Sequence, residues 1–346
     1  MRGRYFWKKA QGAPMRLCAI TGISATTLLL MLPAERATAE QIASRVEPLE
    51  TRILVGGASL YARAIGQGRP VIVLHGGPDF DHRYFLPDLD RLADAFRLIY
   101  YDQRGRGRSA DNVRPEDVTL TSELDDLDKV RQHFRLEAPA LLGHSWGALL
   151  ALEYALRYPG HVSHLILMNP APVSASDAAL TRKAYLAKLG DDMEGQRQIL
   201  TSASYQAGEP EAVTARYGIH FKPALKRPAD HERLMSAMKA AFMSQGKEGI
   251  LKARAVEDQL MRGTWQTPGY DLLPKLRDLR FPTLVIAGDQ DFIPLEVAEH
   301  IAQAIPNATL ATIRSCGHFA YLERGDEVRR ELDGLFQAGR AMKSEH

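Results

Sequence analysis

Three residue types that together perform nucleophilic acyl transfer follow short apolar runs in this chain. Ser145 lies in Gly143-His144-Ser145-Trp146-Gly147, between the apolar run 140–142 and a helix-forming run from residue 148. This Gly-x-Ser-x-Gly pattern predicts a sharp strand-to-helix turn that exposes the serine hydroxyl. A serine hydroxyl needs a base to take its proton, and the base needs a carboxylate to hold its tautomer. His318 and Asp291 follow later apolar runs, and the chain order Ser, Asp, His suits these roles.

Other residues compete for the roles of base and acid. His75 also ends an apolar run, but its glycine-rich turn favours a bracing role. His144 lies inside the turn and is expected to point away from the serine. Asp289 follows Gly288 directly and is expected to accept backbone N–H groups in a turn, so Asp291 is the preferred acid. Two further histidines are expected at the surface, His161 and His164.

The oxyanion of a tetrahedral intermediate needs two backbone N–H donors. The first is expected to be Trp146 N–H, which directly follows the nucleophile and begins a helix. The second is expected from the run His75-Gly76-Gly77-Pro78, where glycine lets the backbone approach a substrate carbonyl closely. Gly77 is preferred over Gly76 as that donor.

A glycine- and arginine-rich run, Asp102-Gln103-Arg104-Gly105-Arg106-Gly107-Arg108-Ser109, could suggest a phosphate loop. It lacks Gly-Lys-Ser/Thr, and no helix begins directly after it. We interpret it as a structural loop that braces neighbouring turns, with Arg104 or Arg108 reaching the site as the less favoured alternative. Cys316 is expected to be a small buried residue beside the triad rather than a nucleophile.

The elements that must position these groups are apolar strands that alternate with helices. Residues 70–74, 97–101, 140–142, 164–168, 282–287 and 309–313 are such strands, and Gly56-Gly57 centres an earlier hairpin. Continuous apolar runs are typical of parallel strands buried on both faces. The sequence therefore predicts an α/β fold with a mostly parallel, doubly wound sheet, whose carboxyl edge carries the chemistry.

The alternation stops after Asn169-Pro170 and resumes near residue 282. The segment between is charged, helical in pattern and without obvious strands. We interpret residues 173–274 as a helical cap over the carboxyl edge of the sheet. Residues 50–172 and 275–340 then form the core domain.

The N-terminus has the pattern of a secretory signal peptide, with a basic region, the apolar stretch 17–32 and Ala37-Thr38-Ala39 as the cleavage site. An uncleaved anchoring helix is the alternative, and either Met1 or Met15 could begin the chain. Residues 1–39 hold six Lys/Arg and one Asp/Glu, so the remainder holds 38 basic and 41 acidic residues, a formal charge of −3 against +2 for the whole chain. We expect a periplasmic or secreted protein without stable membrane insertion after cleavage.

Composition excludes several classes of partner and cofactor. The chain has 346 residues, 45% of them hydrophobic, which suits a globular enzyme with one large domain and an insertion. No basic stripe with interleaved aromatics supports nucleic-acid binding. Cys18 lies in the signal segment, so Cys316 alone remains, and neither a cysteine-based metal site nor a disulfide is expected. No cofactor is implied, and the oligomeric state stays open.

Together these motifs resemble the α/β-hydrolase superfamily, and within it the proline iminopeptidase group of serine hydrolases. The resemblance covers about 50–172 and 275–340 and is carried by five segments, at 75–78, 102–109, 143–147, 288–291 and 317–318. Two positions depart from that group's pattern. Asp79 replaces the glycine that usually follows His-Gly-Gly-Pro, and His144 occupies the elbow position often taken by glycine, as in many esterase-like relatives.

The resemblance implies a hydrolase that releases N-terminal proline from short peptides. A carboxylesterase on small esters is the alternative, and a non-catalytic ligand-binding protein on the same fold is a third. An iminopeptidase also needs acidic cap residues that hold the substrate's free amino group. Six are available, each expected by default at the surface: Glu209, Glu211, Asp230, Glu232, Glu257 and Asp258.

Overall fold

The computed structural model describes residues 47–341. Within that range eight strands form one sheet, in the order β1-β2-β4-β3-β5-β6-β7-β8. The strands are β1 Leu49–Val55, β2 Ala58–Ile65, β3 Arg69–Leu74, β4 Phe96–Tyr101, β5 Ala140–His144, β6 His164–Met168, β7 Thr283–Gly288 and β8 Ala308–Ile313. The β1–β2 hairpin and the β2–β4 pair are antiparallel, and the pairs from β4 through β8 are parallel. The predicted mostly parallel sheet is confirmed.

Helices cover both faces of this sheet. They are α1 Leu120–His133, α2 Trp146–Arg157, α3 Ala175–Leu189, α4 Asp192–Leu200, α5 Ala203–Gln206, α6 Pro210–His220, α7 Pro228–Gly263, α8 Leu273–Leu276, α9 Leu295–Ala304, α10 Ala320–Glu323 and α11 Gly325–Ala341. Successive residues of β6 belong to two separate hydrophobic clusters: Leu165 to one that includes side chains of α1, α2 and α9, and Ile166 to one that includes Phe85 and side chains of α11. A strand buried on both faces must be apolar throughout, which explains its uninterrupted hydrophobic run.

The helices α3 to α7 lie between β6 and β7 in the chain. The segment leaves and returns at adjacent points, because Ala175 N donates to Tyr270 O at 2.8 Å and Leu272 N donates to Val173 O at 2.9 Å. Helix α7 is interrupted at Gly246, whose φ of 67° and ψ of 177° are not helical. Such a backbone conformation is accessible almost exclusively to glycine.

Two local predictions are wrong. The sequence of residues 86–95, between the apolar runs 70–74 and 97–101, predicts a helix, but these residues lie in and around the short 3₁₀ helices His82–Phe85 and Leu89–Asp94. Pro87 lies between the two and has no amide hydrogen to continue a helix. His164, expected at the surface, is buried at the start of β6, with its ring 4.8 Å from that of Phe336.

The predicted signal peptide, residues 1–39, lies outside the described residues. Among the helices of residues 47–341, none combines the length and apolarity needed to cross a bilayer.

Candidate active site

Ser145 occupies a strained turn between β5 and α2. Its φ of 54° and ψ of −118° are rarely adopted by a residue with a side chain. The flanking glycines permit the turn, because a Cβ on Gly143 would lie 2.3 Å from Gly147 O, and one on Gly147 would lie 2.1 Å from Leu74 O. No hydrogen bond joins the Ser145 hydroxyl to another residue of the described chain. Its position at the end of β5 leaves it facing the cavity below the cap.

Asp291 and His318 form a buried pair at the carboxyl ends of β7 and β8. His318 Nδ1 lies 2.9 Å from Asp291 Oδ2 and 3.1 Å from Oδ1. Asp291 also accepts from Asn169 Nδ2 at 2.9 Å and from Ile293 N at 3.0 Å. These donors hold the carboxylate in place and favour a proton on His318 Nδ1, which leaves Nε2 free to act as a base.

Ser145 and His318 line the same cavity, although no hydrogen bond joins their side chains. Hydrogen bonds between catalytic groups are often loose in an unliganded enzyme and tighten in the substrate complex. The structure thus brings all three sequence-predicted triad residues to one edge of the sheet, with the acid–base contact already formed.

The two predicted oxyanion donors flank Ser145. Trp146 begins α2, so its amide has no intrahelical acceptor. Gly76 N donates to Tyr84 Oη at 2.7 Å, whereas the amide of Gly77 finds no acceptor among the described residues. Gly77 has a φ of 123°, and a Cβ there would lie 2.4 Å from Asp79 N. The loop conformation therefore requires glycine at this position and leaves its N–H available.

A hydrogen-bonded chain that the sequence did not predict joins these segments. Tyr84 Oη lies 2.8 Å from His144 Nδ1, and His144 Nε2 lies 2.8 Å from His318 O. Since the Tyr84 hydroxyl accepts from Gly76 N, it donates to His144, which then donates to His318 O. Burial, followed by the charge of His318, lowers the pKa of His144, so this imidazole is neutral. The chain links the oxyanion loop, the elbow and the histidine loop.

The loop at 102–109 braces the site from behind, as its sequence predicts. His75 Nε2 accepts from Gln103 N at 3.0 Å. Arg104 pairs with Asp126, and Arg108 pairs with Glu50. Neither arginine lines the cavity, so the less favoured alternative of site contact is wrong.

A possible metal-ligand cluster occurs in this region. Asp81, His82 and Asp102 are the only group of three such residues found close together in residues 47–341. Their polar atoms are already used, because His82 Nδ1 lies 2.6 Å from Asp102 Oδ1 and Asp81 pairs with Arg83 at 2.6 Å. Asp102 also accepts from Arg108 N at 2.8 Å. These contacts make the cluster a structural hydrogen-bond network.

Two other predicted assignments concern the loops after β7 and β8. Asp289 is exposed and accepts weakly from Cys316 N at 3.4 Å, a turn-forming contact. Cys316 is fully buried, and burial raises the pKa of its thiol. A buried thiol with a raised pKa is a poor nucleophile, in keeping with a packing role.

The cavity has a volume of about 580 Å³ and lies between the sheet edge and the cap. Its walls are mainly aromatic and apolar, with rings from both the core and the cap: Phe80, Tyr84, Tyr185, Tyr217, Phe221, Trp265, Phe292 and Phe319. Such a site suits a substrate of small-molecule or short-peptide size. Its polar cap residues include Arg216 and Glu257.

Two of the six acidic cap residues that were predicted to lie at the surface do not lie there. Glu257 lines the cavity. Burial raises the pKa of Glu257 to about 8, and the neighbouring Asp79 carboxyl adds to this rise, whereas the positive charge of Arg216 opposes it. Asp230 is buried outside the cavity lining and pairs with Arg227. No period or motif in the sequence separates these two from the other four acidic cap residues.

Asp79, the departure from the family pattern, joins the core to the cap. Its Oδ2 accepts from Tyr217 Oη at 2.5 Å, while its Oδ1 is buried without a partner in the described chain. Burial raises the pKa of Asp79, although the Tyr217 hydrogen bond and the Arg216 charge oppose that rise. Asp79 thus lies near Arg216 and Glu257, the two charged cap residues of the cavity wall.

Comparisons with known proteins agree with this architecture. A family model described as alpha/beta hydrolase fold matches residues 69–325. A Clostridium botulinum protein named proline iminopeptidase is 27% identical over 278 residues, which cover 79% of this chain and 92% of that protein. The resemblance to the proline iminopeptidase group is confirmed by such relatives.

Solved structures show the same fold. The proline iminopeptidase of Mycobacterium smegmatis has a TM-score of 0.61 at 23% identity, covering 85% of this chain and 100% of its own. A thermophilic esterase from Thermogutta terrifontis has a TM-score of 0.60 at 22% identity, covering 84% and 98%. The strained serine turn, the parallel sheet and the family match over most of the sequence lead to one conclusion: the chain belongs to the alpha/beta hydrolase fold family.

Proposed function

We propose that this protein is a serine hydrolase in which Ser145, His318 and Asp291 form the catalytic triad. The observation that carries the proposal is the buried Asp291–His318 hydrogen bond at 2.9 Å, with the imidazole in the wall of the cavity that Ser145 faces. That bond leaves the second ring nitrogen of His318 as the acceptor for the serine proton.

The reaction follows from these positions. Ser145 Oγ attacks the substrate carbonyl carbon while its proton passes to His318 Nε2. The amides of Gly77 and Trp146 donate to the oxyanion that forms. His318 then protonates the leaving group, and an acyl-enzyme on Ser145 remains. Water, deprotonated by His318, hydrolyses it and restores the serine.

We propose short peptides with N-terminal proline as the substrates. Relatives named proline iminopeptidase support this choice, and so does Glu257, a cap carboxyl in the cavity without an ion-pair partner among the described residues. An amino group paired with Glu257 stabilises the ionised carboxylate and lowers its pKa from about 8. Carboxylester hydrolysis is the second candidate, favoured by the largely apolar cavity and by esterases among the structural neighbours.

A paired assay on proline 4-nitroanilide and 4-nitrophenyl butyrate tests both candidates. Wild type should cleave the anilide, and Ser145→Ala should cleave neither substrate. Glu257→Gln should raise KM for the anilide by about 10-fold or more, the value of one charged hydrogen bond. The adjacent exposed Asp258→Asn is the matched control. Cleavage of the ester alone would refute the peptidase proposal and support the carboxylesterase. A folded protein that cleaves neither substrate and is not labelled by a fluorophosphonate probe would contradict the serine mechanism.

We further propose that the protein is exported to the periplasm or secreted. The basic and apolar pattern of residues 1–39 supports this proposal. The test is to express the protein with its own N-terminus, fractionate the cells and sequence the N-terminus of the protein in each fraction. Cleavage after Ala39 would give a sequence that begins Glu40-Gln41-Ile42. A mature N-terminus of Glu40 in the exported fraction is the expected result, and an intact N-terminus in the cytoplasm would refute it.

A further inference from the structure

The cavity wall contains a cationic side chain whose guanidinium forms no hydrogen bond or ion pair with a described residue. Arg216 lies on α6 and lines the cavity. Its guanidinium stacks on the ring of Tyr217, 4.1 Å from the centroid. Its Nε is shielded from solvent and has no hydrogen-bond partner, and no carboxylate of the described residues lies within ion-pair distance.

The other buried arginines of the described chain behave differently. Arg106 pairs with Glu123 at 2.7 Å, and both side chains are almost fully buried. Arg63 pairs with Asp90, also at 2.7 Å. A charge removed from water is costly unless it is paired and hydrogen-bonded. Arg216 differs from these two arginines because no carboxylate of the described residues pairs with it.

The two nearby acids do not supply that acceptor. Asp79 uses one oxygen to accept from Tyr217, and Glu257 forms no hydrogen bond with a described residue. Burial raises the pKa of both carboxyls. Burial opposes the charge of Arg216, but the neighbouring Tyr217 and Tyr205, followed by the two acids, outweigh it and raise the pKa of the guanidinium. The guanidinium of Arg216 is thus left without a carboxylate partner among the described residues, which favours an anionic ligand.

We propose that Arg216 binds a carboxylate group of the substrate, so that this hydrolase prefers acyl substrates with a negative charge at the end remote from the scissile bond. A guanidinium presents a planar fork of donors that matches a carboxylate bidentately. Arg216 and Ser145 line the same cavity, and its mainly aromatic walls suit an apolar linker between the carboxylate and the acyl carbon of a substrate. The proposal rests on the serine hydrolase proposed above and favours its second candidate, carboxylester hydrolysis, because a prolyl acyl group carries no carboxylate.

A pair of aryl esters isolates the contribution of the charge. Mono-4-nitrophenyl glutarate differs from 4-nitrophenyl pentanoate by a carboxylate in place of the terminal methyl group. With spontaneous hydrolysis subtracted, wild type should show a higher kcat/KM on the glutarate ester. Arg216→Met, which keeps side-chain bulk, should lower the ratio of the two kcat/KM values by about 10- to 100-fold, mainly through KM. Arg216→Lys should restore part of the ratio.

Arg182 provides the matched control, because it lines the rim of the same cavity but is exposed. Arg182→Met removes the same charge at a screened position, so the ratio should change much less than in Arg216→Met. Equal loss on both esters in Arg216→Met would assign a structural role to Arg216 and overturn the proposal. So would a wild type that prefers the neutral ester.

Equilibrium binding separates this proposal from the proposed chemistry. Glutarate should raise the melting temperature of the folded Ser145→Ala variant and inhibit the wild type competitively, and both effects should be lost in Arg216→Met. If neither ester is cleaved but glutarate still binds through Arg216, the carboxylate site stands and the serine mechanism fails. If esters are cleaved and glutarate does not bind, the carboxylate site is refuted.

Discussion

Gly317, which directly precedes His318, contacts the cap so closely that an added methyl group should separate the two halves of the active site. A Cβ at this position would lie 2.0 Å from Ala224 O and 2.6 Å from Ala224 C. His318 N donates to the same Ala224 carbonyl at 2.7 Å. The atoms that clash are backbone atoms, so no flexible side chain can move aside.

The size of the effect follows from these distances. Real Cβ atoms essentially never approach another heavy atom within 3.0 Å, so Gly317→Ala must separate the loop from Ala224 by about 3.0 minus 2.0, or 1 Å. That displacement breaks the buried amide hydrogen bond, which costs about 1–3 kcal/mol. Overpacking adds about 1–3 kcal/mol. A catalytic group misplaced by about 1 Å lowers kcat by roughly 100-fold.

Thermal unfolding and ester hydrolysis measure the two consequences of Gly317→Ala. We expect a lower melting temperature and a kcat reduced by about 100-fold. The control is Gly334→Ala on α11, where an added Cβ meets nothing within 4 Å. In a helix this change should stabilise the protein by about 0.5–1 kcal/mol and leave kcat intact. A Gly317→Ala variant with wild-type kcat and melting temperature would refute the proposed contact between cap and histidine loop.

Three further changes have defined outcomes. Asp291→Asn should lower kcat by about 10³- to 10⁴-fold, since the amide favours the wrong imidazole tautomer; Asp289→Asn is the exposed control, and equal losses would contradict our choice of acid. Tyr84→Phe removes the hydroxyl between Gly76 N and His144, so kcat should fall about 10-fold with a smaller change in KM, and an unchanged kcat would mean that this chain does not position the site. The pKa of Glu257 is about 8 in the folded protein, above its usual 4.5, so between these pH values the folded state binds one more proton than the unfolded state. The stability that this proton contributes is present below pH 4.5 and is lost as the pH rises through 8. Melting temperatures at pH 5 and pH 9 should therefore differ less in Glu257→Gln than in wild type, and equal differences would count against the raised pKa.

Local sequence patterns were enough to predict the core of the fold. Apolar strand runs identified the parallel sheet, because strands buried on both faces need hydrophobic residues throughout. The Gly-x-Ser-x-Gly run identified the serine turn, since a Cβ added to Gly147 would lie 2.1 Å from Leu74 O and one added to Gly143 would lie 2.3 Å from Gly147 O. Asp291 and His318 were found because parallel strands bring their carboxyl ends to one edge.

Only the tertiary structure decided which polar cap residues face the cavity. Glu257 and Asp258 are adjacent in the sequence and chemically alike, yet one lines the cavity and the other is exposed. Likewise, Arg216 combines a buried Nε with the absence of an ion-pair partner among the described residues, which no local pattern reveals. The sequence by itself determined the sheet, the serine turn and the groups at the strand ends, because backbone sterics and hydrophobic periodicity act over a few residues. The charge lining the cavity was decided by the packing of α6 and α7 over the sheet, because burial and pairing depend on contacts between distant parts of the chain.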